Sequence, residues 1–308
     1  MNIQQLRYLA CVAEEGFSVS QAARTLGTSQ PAVSQQIRAL ETQLGVDLLA
    51  RRGNRITGLT TAGEALLPTA RRALREADNF QRIADDLKHR GSGRLTVATT
   101  HLTARYILGP IIKEFLRGNP AVQFGLRQGT PVQIADWVVA GEADMGVGSP
   151  TLKHHDDLVY LRCSELPRII VVPTGHKLLA EKQVTLKTLQ RHPFVTMDPT
   201  FTGGEVVHRA FAAAGLTPRI VLTAIDADVI KWYVELGLGI AVLPSAAYDP
   251  KRDRGLRAID ASGLFDPTIT HVELRRDTYM PSSMLSLITM IAPQWSRADI
   301  RRKLAAPA

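Results

Sequence analysis

Cysteine is nearly absent from this chain: Cys11 and Cys163 are the only two in 308 residues. Two cysteines cannot build a disulfide framework, and no CxxC or clustered His/Cys spacing suggests a metal site. Cys11, set among Leu6, Leu9 and Val12, reads as a small core residue. Long apolar runs are also missing, since none approaches the roughly 18 residues needed to span a bilayer. No basic-then-apolar leader precedes the first helical pattern, so a cytoplasmic protein without membrane contact is expected. The chain has no GxGxxG, Walker or GxSxG pattern, and His101 and the pair His154-His155 have no partners at catalytic or metal spacing. An enzyme is therefore not expected, nor a bound cofactor. What is present is a 45% hydrophobic content, enough for two or three folded domains, and a net charge of +8 that favours a polyanionic partner.

The most informative stretch is SVSQAARTLGTSQPAVSQQIRALETQL, residues 18–44. Ser18 with Gln21 caps a first short helix, and Gly27 closes it. Ser29 caps a second, with Pro31 in its first turn, where a missing N–H costs nothing. Val33, Ile37, Leu40 and Leu44 recur at helical spacing and predict one buried face. The opposite face carries polar side chains suited to base edges in a major groove, namely Ser34, Gln35 and Arg38, with Ser29, Gln30 and Pro31 at its start. A solvated helical hairpin is the plain alternative. Leu48–Arg52 and Arg55–Leu59 flank Gly53-Asn54 as a β-hairpin whose Arg51, Arg52 and Arg55 are placed to meet phosphate. Residues 1–60 thus predict a winged helix-turn-helix.

Thr61 with Glu64 reads as a second capping box, opening a helix from about 62 to 90. Leu66, Ala70, Ala73, Ala77, Phe80, Ala84 and Leu87 step by four and three along it, which is a heptad seam. Charged residues, including Arg71, Asp78 and Arg82, lie between them. Residues 61–90 are therefore expected to pair with a second copy, making a homodimer. Beyond a Gly/Ser hinge at 89–93, strand-like and helical stretches alternate, which predicts parallel sheets covered by helices. The late strand His271–Arg275 suggests two lobes, about 91–162 with 270–295, and about 163–269. Strand-to-helix junctions at 98–106, 200–205 and 223–233 put Thr99, Thr100, His101, Thr103, Thr202 and Asp226 where an anion could meet helix N-termini. Each of these is also an ordinary capping residue.

The segment from Gln4 to Arg52, with TTAGEALL at 60–67, resembles the LysR-type transcriptional regulators almost position by position. ATTHLTARY (98–106), QGTPVQIAD (128–136), FTGG (201–204) and the run 214–242 are similar to the CysB-like branch of that family, the regulators of sulfur assimilation. The resemblance implies a two-lobed α/β effector domain like that of periplasmic binding proteins, promoter DNA and RNA polymerase as partners, and assembly into a homotetramer. It also implies an effector site at Thr100, Leu102, Thr103, Ser149, Leu166 and Thr202, with Gln128 nearby. The branch usually carries Thr at 102, Gln at 103 and Trp at 166, so the pocket here is expected to be less polar. Sulfate, thiosulfate, a sulfonate or acetylserine are the effectors implied. A regulator of another pathway with an organic-acid effector is an alternative reading. A transport-type binding protein would leave the winged head without a role.

Overall fold

The computed structural model describes residues 1–53, 55–88, 93–151, 155–276 and 278–305, without the side chains at 82 and 85–88. Asn54, His154, Leu87 as a seam residue and all but the last position of the 89–93 hinge lie outside the described residues. The chain divides into two compact units, Met1–Lys88 and His89–Ala308.

In the first unit, α1 (Ile3–Glu14) starts at a reciprocal cap in which Asn2 and Gln5 each accept from the other's backbone N–H. Helix α2 (Val19–Thr25) begins at Ser18, and Gly27 follows it at φ +62°. Helix α3 (Gln30–Leu44) starts where the Ser29 hydroxyl accepts from the Ala32 N–H at 3.3 Å, and ends at left-handed Gly45. Val33, Ile37 and Leu40 are buried as their spacing predicts, but Leu44 is exposed, because the helix ends before that turn reaches the core. Strands β1 (Leu49–Arg52) and β2 (Arg55–Leu59) pair antiparallel, with a bulge at Ala50/Arg51. The cap of α4 (Thr61–Lys88) is Thr60 rather than Thr61: its hydroxyl accepts from the Gly63 N–H at 3.0 Å and donates to the Asp47 carbonyl at 2.6 Å. A Cβ at Gly63 would lie 2.1 Å from the Leu48 carbonyl, so the long helix can seat against the wing only through glycine.

Leu6, Leu9, Val12, Val33, Ile37, Leu40 and Leu48 form the core of this unit, each fully buried leucine contributing about 1.5–3 kcal/mol. Leu67 and Ala70 join that core, with Ala73 and Leu74 packed against it. Part of the expected seam is therefore occupied by the chain's own head. Leu66, Phe80 and Ile83 stay exposed, Phe80 at 77%.

Along the second unit run β3 (Gly93–Thr99), α5 (His101–Thr103), a π-helical turn (Ala104–Leu108), α6 (Gly109–Gly118), β4 (Val122–Gln128), α7 (Pro131–Ala140) and β5 (Met145–Gly148). They are followed by β6 (Leu158–Leu166), β7 (Arg168–Pro173), α8 (Leu186–Leu189), β8 (Pro193–Met197), α9 (Thr202–Ala213) and β9 (Arg219–Ala224). The remainder is α10 (Ala227–Glu235), β10 (Ala241–Pro244), β11 (Leu256–Asp260), β12 (Thr268–Arg275), α11 (Ser282–Ile291) and α12 (Arg297–Ala305). One sheet has the order β4-β3-β5-β12-β6. In the other lobe β10-β7-β11 and β8-β9 are joined by a bridge between Phe194 and Ile240. The sheets are mixed rather than parallel. Strands β12 and β7 enter from the opposite lobe and run antiparallel to their neighbours. The first crossing falls at Pro167, because β6 keeps its pairing with β12 through Leu166. Each lobe has its own core, one around Val97, Phe115 and Ile288, the other around Ile170, Phe194 and Phe211.

Candidate functional site

On α3, Gln30, Pro31, Gln35 and Arg38 are exposed and Ser34 is half-buried. Ser34 and Arg38 border a groove of about 510 Å³ whose far wall is the wing, through Arg51, Gly53 and Arg55. The helix thus offers amide and guanidinium groups outward while its apolar side holds it rigidly. Not every expected contact is equally available. The Ser29 hydroxyl serves as the cap, and the Gln30 side-chain Oε1 accepts from the Ser20 hydroxyl at 3.0 Å.

Arg51 is already engaged. Its guanidinium meets the Glu41 carboxylate at 2.7 and 3.2 Å. Glu41, 6% exposed, also accepts from the Leu48 and Leu49 N–H groups at 2.8 and 3.1 Å. Burial alone would raise this carboxyl, but the bonds from Arg51, Leu48 and Leu49 bring it below its ordinary value. Arg51 is thus a tie between wing and recognition helix, while Arg52 and Arg55 remain exposed.

In the second unit a cavity of about 40 Å³ lies between the lobes. Thr100, Leu102, Thr103, Ser149, Leu166 and Thr202 all line it, so the six positions implied by resemblance converge. The Thr100 hydroxyl caps α5 by accepting from the Thr103 N–H at 3.2 Å and lies 3.0 Å from the Thr103 hydroxyl. Thr202 opens α9, facing it from the other lobe. Met197, Phe201, Ile225 and Pro244 make most of the remaining wall apolar.

The other four expected residues are not among those lining the cavity. Thr99 is fully buried and donates to the Val147 carbonyl at 2.7 Å, bonding β3 to β5. Gln128 is exposed at the end of β4. His101 and Asp226 meet each other, Nε2 to carboxylate at 2.9 Å, while the second Asp226 oxygen caps α10. Around them Arg105 pairs with Asp228 at 2.7 Å, and Lys231 binds Asp253 and the Tyr106 hydroxyl at 2.9 and 3.0 Å. The Tyr106 hydroxyl also donates to Asp228. Burial opposes ionisation of Asp228, but the bonds from Tyr106 and Lys231 win and lower it. This polar cluster ties the helix after β3 to α10 across the lobes. His101, Asp226 and Asp228 could approach a cation together, but Arg105 and Lys231 already neutralise Asp228.

Sequence reasoning missed Arg168, which also lines the cavity and is 1% exposed. Its Nε donates to the Asp266 carbonyl at 3.3 Å, and its Nη1 has no partner among the described residues. Burial pulls its pKa down to about 10. The available signal was an arginine opening the apolar run RIIVVP (168–173).

No helix among the described residues is long and apolar enough to cross a membrane. Residues 3–64 match the family model of the bacterial regulatory helix-turn-helix protein, lysR family, and residues 88–296 match the LysR substrate binding domain. The transcriptional regulator SsuR of Burkholderia cenocepacia is 44% identical over 97% of both chains. CysB of the same organism is 40% identical over 99% of this chain and 97% of that protein. The regulator Cbl of Escherichia coli is 37% identical over 99% of this chain and 96% of that one. The solved cofactor-binding domain of Cbl superposes with a TM-score of 0.67 at 35% identity, covering 69% of this chain and 93% of that one. Full-length OxyR from Pseudomonas aeruginosa, at 22% identity, shares the fold with a TM-score of 0.72, covering 94% of each chain. With a helix-turn-helix head, a two-lobed sensor and full-length likeness to SsuR, CysB and Cbl, the chain belongs to the LysR family of DNA-binding transcriptional regulators, in its CysB-like branch.

Proposed function

We propose that this regulator controls sulfur-assimilation or sulfonate-utilisation genes from the cytoplasm, binding promoter DNA as a homodimer or homotetramer and acting on RNA polymerase. Its effector is a small organic anion carrying a sulfonate or related group. The observation that carries this reading is the convergence of Thr100, Ser149 and Thr202 in one cavity whose other walls include Leu102, Leu166 and Ile225. Hydroxyls and the α9 N-terminus suit an anionic head, and the leucines suit an alkyl remainder better than inorganic sulfate. In the head, Gln35 and Arg38 read base edges while Arg52 and Arg55 touch phosphate.

Calorimetry on the full-length protein with sulfate, thiosulfate, hexanesulfonate and acetylserine tests the effector class. Hexanesulfonate is expected to bind tightest. Preference for sulfate would refute the organic effector and leave the DNA-binding assignment standing. Assembly is tested with Phe80→Asp, which sets a charge on the exposed stripe of α4. Loss of dimers in sedimentation is expected, whereas unchanged sedimentation would exclude this stripe as the contact.

A further inference from the structure

We infer that Arg168 is the charge partner of the effector, holding its anionic group between its own Nη1 and the N-terminal turn of α9. The inference rests on the effector cavity proposed above and specifies what binds there: a ligand with a full negative charge, not a neutral amino-acid derivative. An arginine that is 1% exposed has lost its water, and only excellent pairing compensates for that. Arg168 has one neutral carbonyl, at its Nε. The nearest acid, Asp266, is 2.8 Å from Arg209 and gives its carboxylate there. Nη1 is left without a protein partner among the described residues, on a guanidinium that borders the cavity.

Geometry narrows where the anion sits. A Cβ built on Gly203 would lie 3.6 Å from Nη1, so the guanidinium reaches the first turn of α9. Phe201 caps that helix without any side-chain bond, and its carbonyl takes the Gly204 N–H at 3.0 Å, so the Thr202 and Gly203 N–H groups are the ones left to a ligand. The hydroxyl of Thr268, buried beside the same cavity, also lacks a partner among the described residues. Three kinds of donor, and no carboxylate among the lining residues, therefore border one cavity, which is the chemistry of an oxyanion seat. Burial pulls the Arg168 pKa down to about 10, against the opposing pull of the nearby Asp266 carboxylate. A ligand anion there would draw on both lobes, because Arg168 and α9 belong to one and Thr268, which opens β12, to the other.

The test is calorimetry of the full-length protein with hexanesulfonate, and with O-acetylserine as a net-neutral probe whose tighter binding would overturn the inference. Arg168→Met keeps bulk but removes the charge. Loss of a charge-assisted bond should weaken hexanesulfonate about ten- to a hundredfold, while thermal stability without ligand stays equal or rises. Wild-type affinity in Arg168→Met would overturn the inference while sparing the cavity. Failure of the unmodified protein to bind either probe would overturn both. Should Arg168→Met not fold, Gly203→Ala decides: its methyl group enters the seat while Arg168 remains, lying 3.0 Å from the Met197 side chain and 3.6 Å from Arg168 Nη1. Weakened hexanesulfonate binding is then expected, and unchanged affinity would contradict the seat.

Discussion

In the head, the buried carboxylate Glu41 is met on every side: Arg51 from the wing, and the Leu48 and Leu49 N–H groups from the approach to it. In the sensor, the buried guanidinium of Arg168 has a neutral carbonyl, and among the described residues neither Arg168 Nη1 nor either oxygen of buried Glu273 has a partner. The head meets its buried Glu41 completely; the sensor meets its buried Lys231 but leaves Arg168 and Glu273 incomplete. A complete network preorganises the recognition helix and wing before DNA arrives, so little ordering remains to be done on binding. An incomplete one favours whatever supplies the missing charge, which is the requirement for a domain whose state depends on a ligand.

Changes to buried charge should separate the two regions. The largest effect is expected at Glu273, which is fully buried in the first lobe and pushed up to about 8 by burial. A carboxyl raised above its unfolded value of 4.5 gives stability that is full below that pH and is lost as pH rises toward 8. Over that window the sensor should lose roughly 2–5 kcal/mol through this group. Glu273→Gln should flatten the decline in urea unfolding curves, and an identical pH slope in both proteins would show that the group is hydrated or paired. Next comes Glu41→Ala, which strands two buried N–H groups and Arg51. It should cost about 2–4 kcal/mol in the unfolding transition that accompanies loss of DNA binding. A cost below about 1 kcal/mol, in the range of a surface ion pair, would remove the contrast between the regions. The smallest effect concerns Gln35→Ala, where no internal bond is at stake. Specific DNA affinity should fall by about 1–3 kcal/mol with non-specific affinity nearly intact; an equal fall in both would make Gln35 a backbone contact.

Much of the head is legible in its sequence because its signals are local. Ser29, Pro31 and Gly45 bracket α3, and Val33, Ile37 and Leu40 fix its buried face. The role of Glu41 is not legible, since it depends on a bulged strand ten residues away. In the sensor, strand-to-helix junctions are readable, but which of them meet is a property of the two-lobed topology. His101 and Asp226 look like ligand groups one at a time and turn out to be each other's partner. Strand β6 escapes periodicity because Arg162, Ser164 and Glu165 interrupt its pattern at a sheet edge. Helix α11, SSMLSLITMI, has no charged residue, and only Ser282, Ser283, Ser286 and Thr289 mark its outer face, a weak signal beside its buried Met284, Leu287 and Ile288. Arg168 hides within an apolar strand, and its meaning depends on the absence of a partner, which no pattern of residues reveals.

The most direct test of an effector-dependent DNA-binding regulator is selection of duplexes from a random library by the full-length protein, followed by footprinting with and without hexanesulfonate. The expected result is an inverted-repeat site whose protected span changes when hexanesulfonate is added. Enrichment of no shared sequence would contradict DNA reading by α3, and a shared site with a footprint indifferent to hexanesulfonate would contradict the coupling of that anion to the head.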